Sequence, residues 1–259
     1  MRCRITKRSH NRVWVIVLIL AIACFVLSGA YIIVTMRPDN TDNLRSQAYV
    51  SSDSASENTA AYVEPPVDFV KLKKINPDIY AWINVPGTVI DYPILRRADD
   101  NAYYLTHTVE NKKSAYGAIY TEDYNDMDFA DFNTVIYGHN MKNGSMFGSL
   151  KKYRNKTFFD KNREINIYMP GRIMTYRIFA AHIVDDRHIL LSYDFTNESV
   201  RNEYISDIFS NKGMSSYFDS QTEITADDRI ITLSTCTGKT EERYLVQGVL
   251  IYDSRKQTS

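Results

Sequence analysis

Hydrophobic and polar positions divide the chain into three stretches of different rhythm. Val13 to Met36 is almost uninterrupted apolar sequence, and about 20 such residues cross a bilayer as a helix. Arg37 to Pro66 is polar, rich in Ser, Asn, Asp and Thr, and carries no apolar period. It reads as a flexible tether with a boundary at Pro65-Pro66. From Val67 onward, brief apolar runs alternate with turn residues. The runs Tyr80–Val85, Val89–Ile94, Ala118–Tyr120, Thr134–Tyr137, Ile165–Tyr168, Met174–Val184, Arg229–Cys236 and Tyr244–Tyr252 predict strands. Short strands joined by loops favour a barrel or sandwich over an alternating α/β sheet.

Four segments break that rhythm. Phe69, Val70 and Leu72 among three lysines predict a short amphipathic helix ended by Asn76-Pro77, with a second helical turn from Asp78. Met146, Phe147 and Leu150 have helical spacing within Gly144–Tyr153, with Asn143 or Ser145 as cap. Between the strands ending near Val184 and starting near Arg229 lies a long insertion. Its stripe Val200, Tyr204, Ile205, Ile208, Phe209 predicts a helix, a natural wall for a groove.

Arg2, Arg4, Lys7, Arg8 and Arg12 precede the apolar run without an acid. That excess sets residues 1–12 in the cytoplasm, 13–36 in the membrane and the remainder outside. A cleaved signal peptide ending at Ser28-Gly29-Ala30 is the rival reading, but signal cores run about 7–15 residues, shorter than this one. With 31 basic and 31 acidic residues the formal charge is zero, which gives no electrostatic reason to expect nucleic acid as a partner. Three cysteines and no CxxC pair argue against a disulfide scaffold or a zinc site. Nineteen tyrosines suit a β-rich surface.

Cys3 and Cys24 lie in or beside the apolar run, so Cys236 is the one cysteine of the outer part and has no partner there. Along Ile230–Cys236, period-2 alternation puts Cys236, Ser234, Thr232 and Ile230 on one face. If the returning strand pairs antiparallel, Arg243 stands opposite Cys236 at the hairpin mouth. There it can favour a thiolate and donate to a developing oxyanion. His139 ends a strand a hundred residues earlier and supplies a general acid and base. Each has a plainer reading: a packed thiol, a turn histidine, a surface ion pair with Glu241 or Glu242. His107, His182 and His188 show no ligand spacing and read as structural. Asn155-Lys156-Thr157 and Asn197-Glu198-Ser199 match glycosylation acceptors, the second also a helix cap.

The joint pattern resembles the sortases, membrane-anchored cysteine transpeptidases of Gram-positive bacteria. Thr232-Leu233-Ser234-Thr235-Cys236 is similar to their TLxTC motif, Arg243 to their arginine and Tyr137-Gly138-His139-Asn140-Met141 to their histidine motif. The run Tyr137–Tyr153 and Asn76–Pro93 resemble class B in particular, as do the N-terminal helical segment and the helix-bearing insertion. The resemblance covers Val67 to Asp253, leaving 254–259 as a tail. It implies a mainly β fold, a closed eight-stranded barrel with N-terminal helices. It implies Cys236 as nucleophile, His139 as general acid and base, and Arg243 as stabiliser of oxyanion and substrate. Peptide contacts are expected from Ser234, Thr235, Tyr204 and Ile205, with no metal or cofactor. The implied reaction cleaves a C-terminal sorting motif after Thr, of Asn-Pro-x-Thr-x or Ser/Pro-Pro-x-Thr-Gly type. The surface protein then passes to a peptidoglycan cross-bridge amine on a lipid-linked precursor. A cysteine peptidase or acyl hydrolase, and a non-catalytic tethered binding domain, are the alternatives. A pilin-polymerising class C enzyme would show an Asp-Pro-aromatic lid, which the sequence does not. No carboxylate follows Cys236 closely, so the sequence names none to orient His139.

Overall fold

The computed structural model describes residues 7–35, 41–49, 64–211, 213 and 215–255. The chain forms two compact units, 1–38 and 39–259. In the first, α1 (Lys7–Thr35) is one helix. Its described side chains, Trp14 to Gly29, are nearly all exposed, including Trp14, Phe25 and Leu27. Among the described residues no helix is long and apolar enough to cross a membrane. The expected spanning helix over 13–36 is therefore not supported there. Cys3 lies outside the described residues.

In the second unit the expected tether is only partly described. Residues 50–63 lie outside the described set, but Thr41–Ala48 forms a helix, α2. Leu44 and Ala48 are buried on it, one turn apart. They pack with Phe69 and Leu72 of α3 (Phe69–Ile75), Trp82 and Leu95. The segment is therefore a docked element and not free chain between 41 and 49. Asp68 caps α3 by accepting from the Lys71 N–H at 3.0 Å, and the helix ends at Asn76 as expected. The second helical turn expected at Asp78 is absent. Asn76 Oδ1 instead accepts from the Asp78 N–H, turning the chain directly into a strand.

The strands are β1 (Ile79–Asn84), β2 (Asp91–Leu95), β3 (Ile119–Thr121), β4 (Asn133–Tyr137), β5 (Glu164–Met169), β6 (Arg172–Asp185), β7 (Tyr217–Phe218), β8 (Ile230–Cys236) and β9 (Glu242–Asp253). Hydrogen bonding runs β5-β1-β2-β3-β4-β8-β9-β6, and β6 pairs back onto β5, closing an eight-stranded barrel as the family resemblance implied. Closure leaves no free edge among these eight. Two joins are parallel, β2 with β3 and β4 with β8. The far half of the long β6 carries the two-residue β7 on the same edge as β5, beyond the stretch that β5 pairs, while β9 takes the other edge. Pro93, which has no N–H to give, lies where β2 pairs only with β1.

Ile231 and Leu233 face the barrel interior with Ile83, Ile136, Phe147 and Val246. The outer face of the β4-β8-β9-β6 wall is covered by the insertion between β6 and β8. That insertion contains α5 (Ile189–Ser192) and α6 (Glu198–Ser210). Phe132, Phe179, Ile189, Tyr204 and Ile208 form this outer core. Burial on both faces explains why β8 is buried at every position except its last, Cys236. Asn197 caps α6, accepting from Ser199 N–H, and Asn155 caps α4 (Lys156–Lys161), accepting from Phe158 N–H. Both acceptor-like asparagines thus spend a side-chain oxygen on a helix start. The helix expected over Gly144–Tyr153 is a 3-10 turn, Phe147–Arg154, and neither Asn143 nor Ser145 caps it. Its entry residue, Met146, has a left-handed φ of 51° and no side-chain cap.

Candidate active site

Register brings the chemistry together. β4 runs parallel to β8 with Tyr137 beside Ser234, so two residues further on each strand His139 and Cys236 arrive at the same level on the same side. The loop after β4 is stitched to β8 by three bonds. Gly138 N–H donates to Ser234 O at 3.2 Å, Thr235 Oγ1 donates to Gly138 O at 2.7 Å, and Asn140 Nδ2 donates to Cys236 O at 2.8 Å. A side chain at Gly138 has no room, since a Cβ there would stand 2.5 Å from Ile119 Cδ1 and 2.8 Å from the Phe147 ring. β8 and β9 pair antiparallel with Cys236 opposite Arg243, as the hairpin reading requires.

Cys236, His139 and Arg243 line one cleft of about 240 Å³. Ser234 and Thr235 line it too, and Leu105, Tyr120, Glu122, Tyr137 and His188 complete much of the wall. Cys236 is exposed, whereas Ser234 and Thr235 are each 5 % exposed. The plainer reading of Arg243 fails on geometry. Glu242 is held by Lys239 Nζ at 2.8 Å and by Thr237 Oγ1 at 3.1 Å. Among the described residues Arg243 forms no ion pair and donates to the carbonyls of Thr240 and Glu242, at 3.0 and 3.1 Å. Its guanidinium thus stands opposite Cys236 without a direct carboxylate partner among the described residues, in a cleft that Glu122 and Asp186 also line.

What orients His139 is a backbone oxygen. His139 Nε2 lies 2.7 Å from Leu105 O. A carbonyl can only accept, so this contact places a proton on Nε2 and leaves Nδ1 as the lone pair of the neutral ring. The carbonyl comes from the 3-10 turn Tyr103–Leu105, fixed in turn by Ala118 N–H donating to Tyr104 O at 2.8 Å. Gly117 makes the approach possible, because a Cβ there would meet Leu105 O at 2.8 Å and His139 Cδ2 at 3.1 Å.

Two of the expected peptide contacts lie elsewhere. Tyr204 is 4 % exposed and does not line the cleft. Its hydroxyl is bonded to Asn133 Nδ2 at 3.1 Å and Gln247 Nε2 at 2.9 Å, and burial pushes it up to about 12. Ile205 packs in the outer core. Tyr204 belongs to a buried polar layer under α6. In it Thr232 donates to Asn133 Oδ1 at 2.7 Å and His182 Nε2 lies 2.8 Å from Gln247 Oε1. Burial drops His182 to about 4, so it is neutral at physiological pH. His188, read as structural in the sequence, lines the cleft with its Nε2 2.6 Å from Glu122 Oε2. Glu122 and Leu105 carried no sequence pattern that would have found them.

A thiol, an imidazole held by a backbone carbonyl and a guanidinium share one cleft of a closed barrel, and these are the groups that acyl transfer through a cysteine requires. The family model described as sortase domain matches residues 83–251. Sortase B of Listeria monocytogenes is 34 % identical over 208 residues, covering 79 % of this chain and 82 % of that one. Sortase B of Staphylococcus aureus is 27 % identical over 249 residues, covering 93 % and 98 %. The crystal structure of Clostridium perfringens sortase B superposes with a TM-score of 0.64 at 31 % identity, covering 71 % of this chain and all of that one. The chain belongs to the sortase family, and its relatives are class B sortases.

Proposed function

We propose that the chain is a transpeptidase that joins surface proteins to the cell wall, with Cys236, His139 and Arg243 as its catalytic residues. The observation that carries this is their meeting in one cleft from three separate strand ends. Cys236 Sγ attacks the carbonyl of the Thr in a sorting motif of Asn-Pro-x-Thr-x or Ser/Pro-Pro-x-Thr-Gly type. Arg243 faces the oxyanion as it forms, in a site walled on one side by the insertion. His139 hands a proton to the departing amine, leaving a thioester on Cys236. A cross-bridge amine of the peptidoglycan precursor then displaces the thiol. Ser234 and Thr235 contact the peptide from the floor. The N-terminal helix, with its basic flank and apolar sequence, holds the domain at the outer face of the membrane, where the lipid-linked acceptor is presented.

Mass spectrometry of residues 39–259, one compact unit, tests this with Asn-Pro-x-Thr-x and Pro-Pro-x-Thr-Gly peptides, with and without an amine. Cleavage after Thr, an acyl adduct on Cys236 and an amine-ligated product are expected, all lost in Cys236→Ala. Cleavage that no millimolar amine ever diverts from water would make the protein a hydrolase. Turnover that survives Cys236→Ala would end the catalytic reading altogether.

A further inference from the structure

The carbonyl that orients His139 sits on an exposed loop, and the loop has to be held if the ring is to keep one tautomer. Leu105 and Thr106 are exposed, and the turn Tyr103–Leu105 is only three residues long. Two layers hold it. Inside, Tyr104 is 1 % exposed; its hydroxyl donates to Asp78 Oδ2 at 2.6 Å and accepts from Asn76 Nδ2 at 2.9 Å. Outside, the Tyr103 ring stacks on the His107 ring, with centroids 4.0 Å apart and planes 6° from parallel. The Arg97 guanidinium lies 4.3 Å from the same Tyr103 centroid. Two groups that close to one centroid cannot share a face, so Tyr103 is clamped between a cation and an imidazole. Both jaws are fixed. Arg97 Nη1 donates to Asp78 Oδ2 at 2.8 Å, the oxygen that also takes the Tyr104 hydroxyl, which joins the outer layer to the inner one. His107 Nδ1 lies 2.9 Å from Tyr103 O, and since a carbonyl can only accept, that nitrogen carries a proton. His107 also pairs with Lys113 in an isolated β-bridge, and Ser114 N–H donates to Thr106 O at 2.9 Å. Arg97, Tyr103 and His107 do not line the cleft, whereas Leu105 does. A partly exposed ion pair and stack contribute little to the stability of a whole domain. What this clamp controls is the place of the Leu105 carbonyl.

We infer that Tyr103 is a positioning residue for acyl transfer, acting through the clamp of Arg97 and His107 to hold the Leu105 carbonyl against His139. The inference rests on reading His139 as the acid and base, and goes beyond it by assigning what keeps its ring in working form. With Nε2–H donated to Leu105 O, Nδ1 is the one nitrogen left to exchange protons. In acylation the Cys236 thiol proton passes to Nδ1 and from there to the departing amine, as the C–S bond forms and the C–N bond breaks. The Nε2 proton stays bonded to the carbonyl throughout, and that oxygen steadies the imidazolium between the two transfers. If the turn drifts, the neutral ring is free to carry its proton on Nδ1 instead, and so protonated it has no lone pair there for the thiol proton.

The test reads the full chain in two ways: the 15N resonances of His139 without substrate, and kcat and KM for cleavage of a sorting peptide. Tyr103→Ala is expected to lose the Nε2–H pattern of His139 and to lower kcat about tenfold to a hundredfold, the scale of angstrom-level misplacement. KM is expected to hold, because no member of the clamp lines the cleft. Tyr103→Phe keeps the stacked ring and is expected to restore both readouts. His107→Leu removes one jaw while Tyr104 stays anchored, and is expected to show the same two changes at smaller size. It takes the place of Tyr103→Ala should that variant fail to fold. An unchanged His139 pattern overturns the inference whether or not kcat falls, and so does a lost pattern with kcat intact. A rise in KM at unchanged kcat overturns it too, because Tyr103 would then belong to the peptide site. A loss that Tyr103→Phe shares also overturns it, since the hydroxyl and not the stack would be at work. The resonances need no turnover, so a lost Nε2–H pattern supports the clamp even if no peptide is cleaved, an outcome that would sink only the catalytic reading.

Discussion

Gly117 has no side chain because the carbonyl of Leu105 and the ring of His139 occupy the space one would need. Its φ is +57°, and a Cβ would stand 2.5 Å from Tyr104 O and 2.8 Å from Leu105 O. Gly117→Ala is therefore expected to push the Leu105 carbonyl off Nε2 and free the ring to change tautomer. We expect kcat/KM for peptide cleavage to fall about tenfold to a hundredfold, the scale on which angstrom-level misplacement acts. The 15N shifts of His139 should lose the Nε2–H pattern. Gly117→Asn separates the two causes, since Asn tolerates a left-handed backbone and still carries a Cβ. Equal loss in both variants assigns the effect to the contact, and recovery in Asn assigns it to strain. The sequence placed Cys236 and Arg243 opposite one another on the condition that the two strands pair antiparallel, which they do. It placed His139 near them only by resemblance, because nearness across a parallel β4–β8 join leaves no trace in spacing. The Leu105 carbonyl is invisible to any reading of side chains, as is the pairing of Glu122 with His188 across 66 residues. Tyr204 misled for a physical reason: on a helical stripe a tyrosine shared between core and solvent looks the same as one whose hydroxyl is consumed underneath.

Among the elements, α2 is the one that composition hid. Its sequence, TDNLRSQA, has only Leu44 and Ala48 as apolar residues, too few for a period to register. What holds it is specific. Arg45 Nε donates to Asp91 O at 3.0 Å, and just beyond the helix Tyr49 Oη donates to Asp91 Oδ1 at 2.7 Å. The same carboxylate oxygen accepts from Trp82 Nε1 at 2.8 Å, and the Tyr49 ring meets the Trp82 ring edge-on at 6.1 Å. Burial together with the Asp91 contact raises the Tyr49 hydroxyl well above the usual phenol range, so it stays a donor. Leu44→Ala is expected to destabilise residues 39–259 by about 2–3 kcal/mol, the lower end of the range for a buried leucine. Urea denaturation measures this, and a change below about 0.5 kcal/mol would return the segment to a free tether, where surface substitutions have that size. The barrel strands were legible because each run is short and bounded by turn residues. The 3-10 turn after Met146 was not, because Met146, Phe147 and Leu150 fit three-residue and four-residue repeats about equally over so short a segment.

At the scale of the whole domain, two buried ionisable groups set how stability depends on pH. Arg172 and Asp253 are each 4 % exposed at the side chain and form a two-pronged pair that ties the start of β6 to the end of β9. Hydrogen bonding from Arg172 holds Asp253 at about 2, below the ordinary carboxylate value of 3.8. A depressed carboxylate stabilises fully above its unfolded value and loses that contribution as pH falls through the folded one, here between about 4 and 2. His182 acts higher on the scale. Burial lowers it to about 4 from 6.5, so between those values the unfolded chain binds a proton that the folded chain refuses. Stability therefore falls as pH drops from 6.5 toward 4, by on the order of 3 kcal/mol from this one group at about 1.4 kcal/mol per unit. The group matters to function because His182, Gln247, Tyr204, Asn133 and Thr232 form the layer that seats α6 against the strand bearing Cys236. Urea denaturation of residues 39–259 at pH 7, 5.5 and 4.5 is expected to show that loss. His182→Gln, which keeps a donor for Gln247 and removes the titration, is expected to be less stable at pH 7 but to flatten the profile between 6.5 and 4. An unchanged slope in that variant would move the acid sensitivity to other groups and leave His182 as packing.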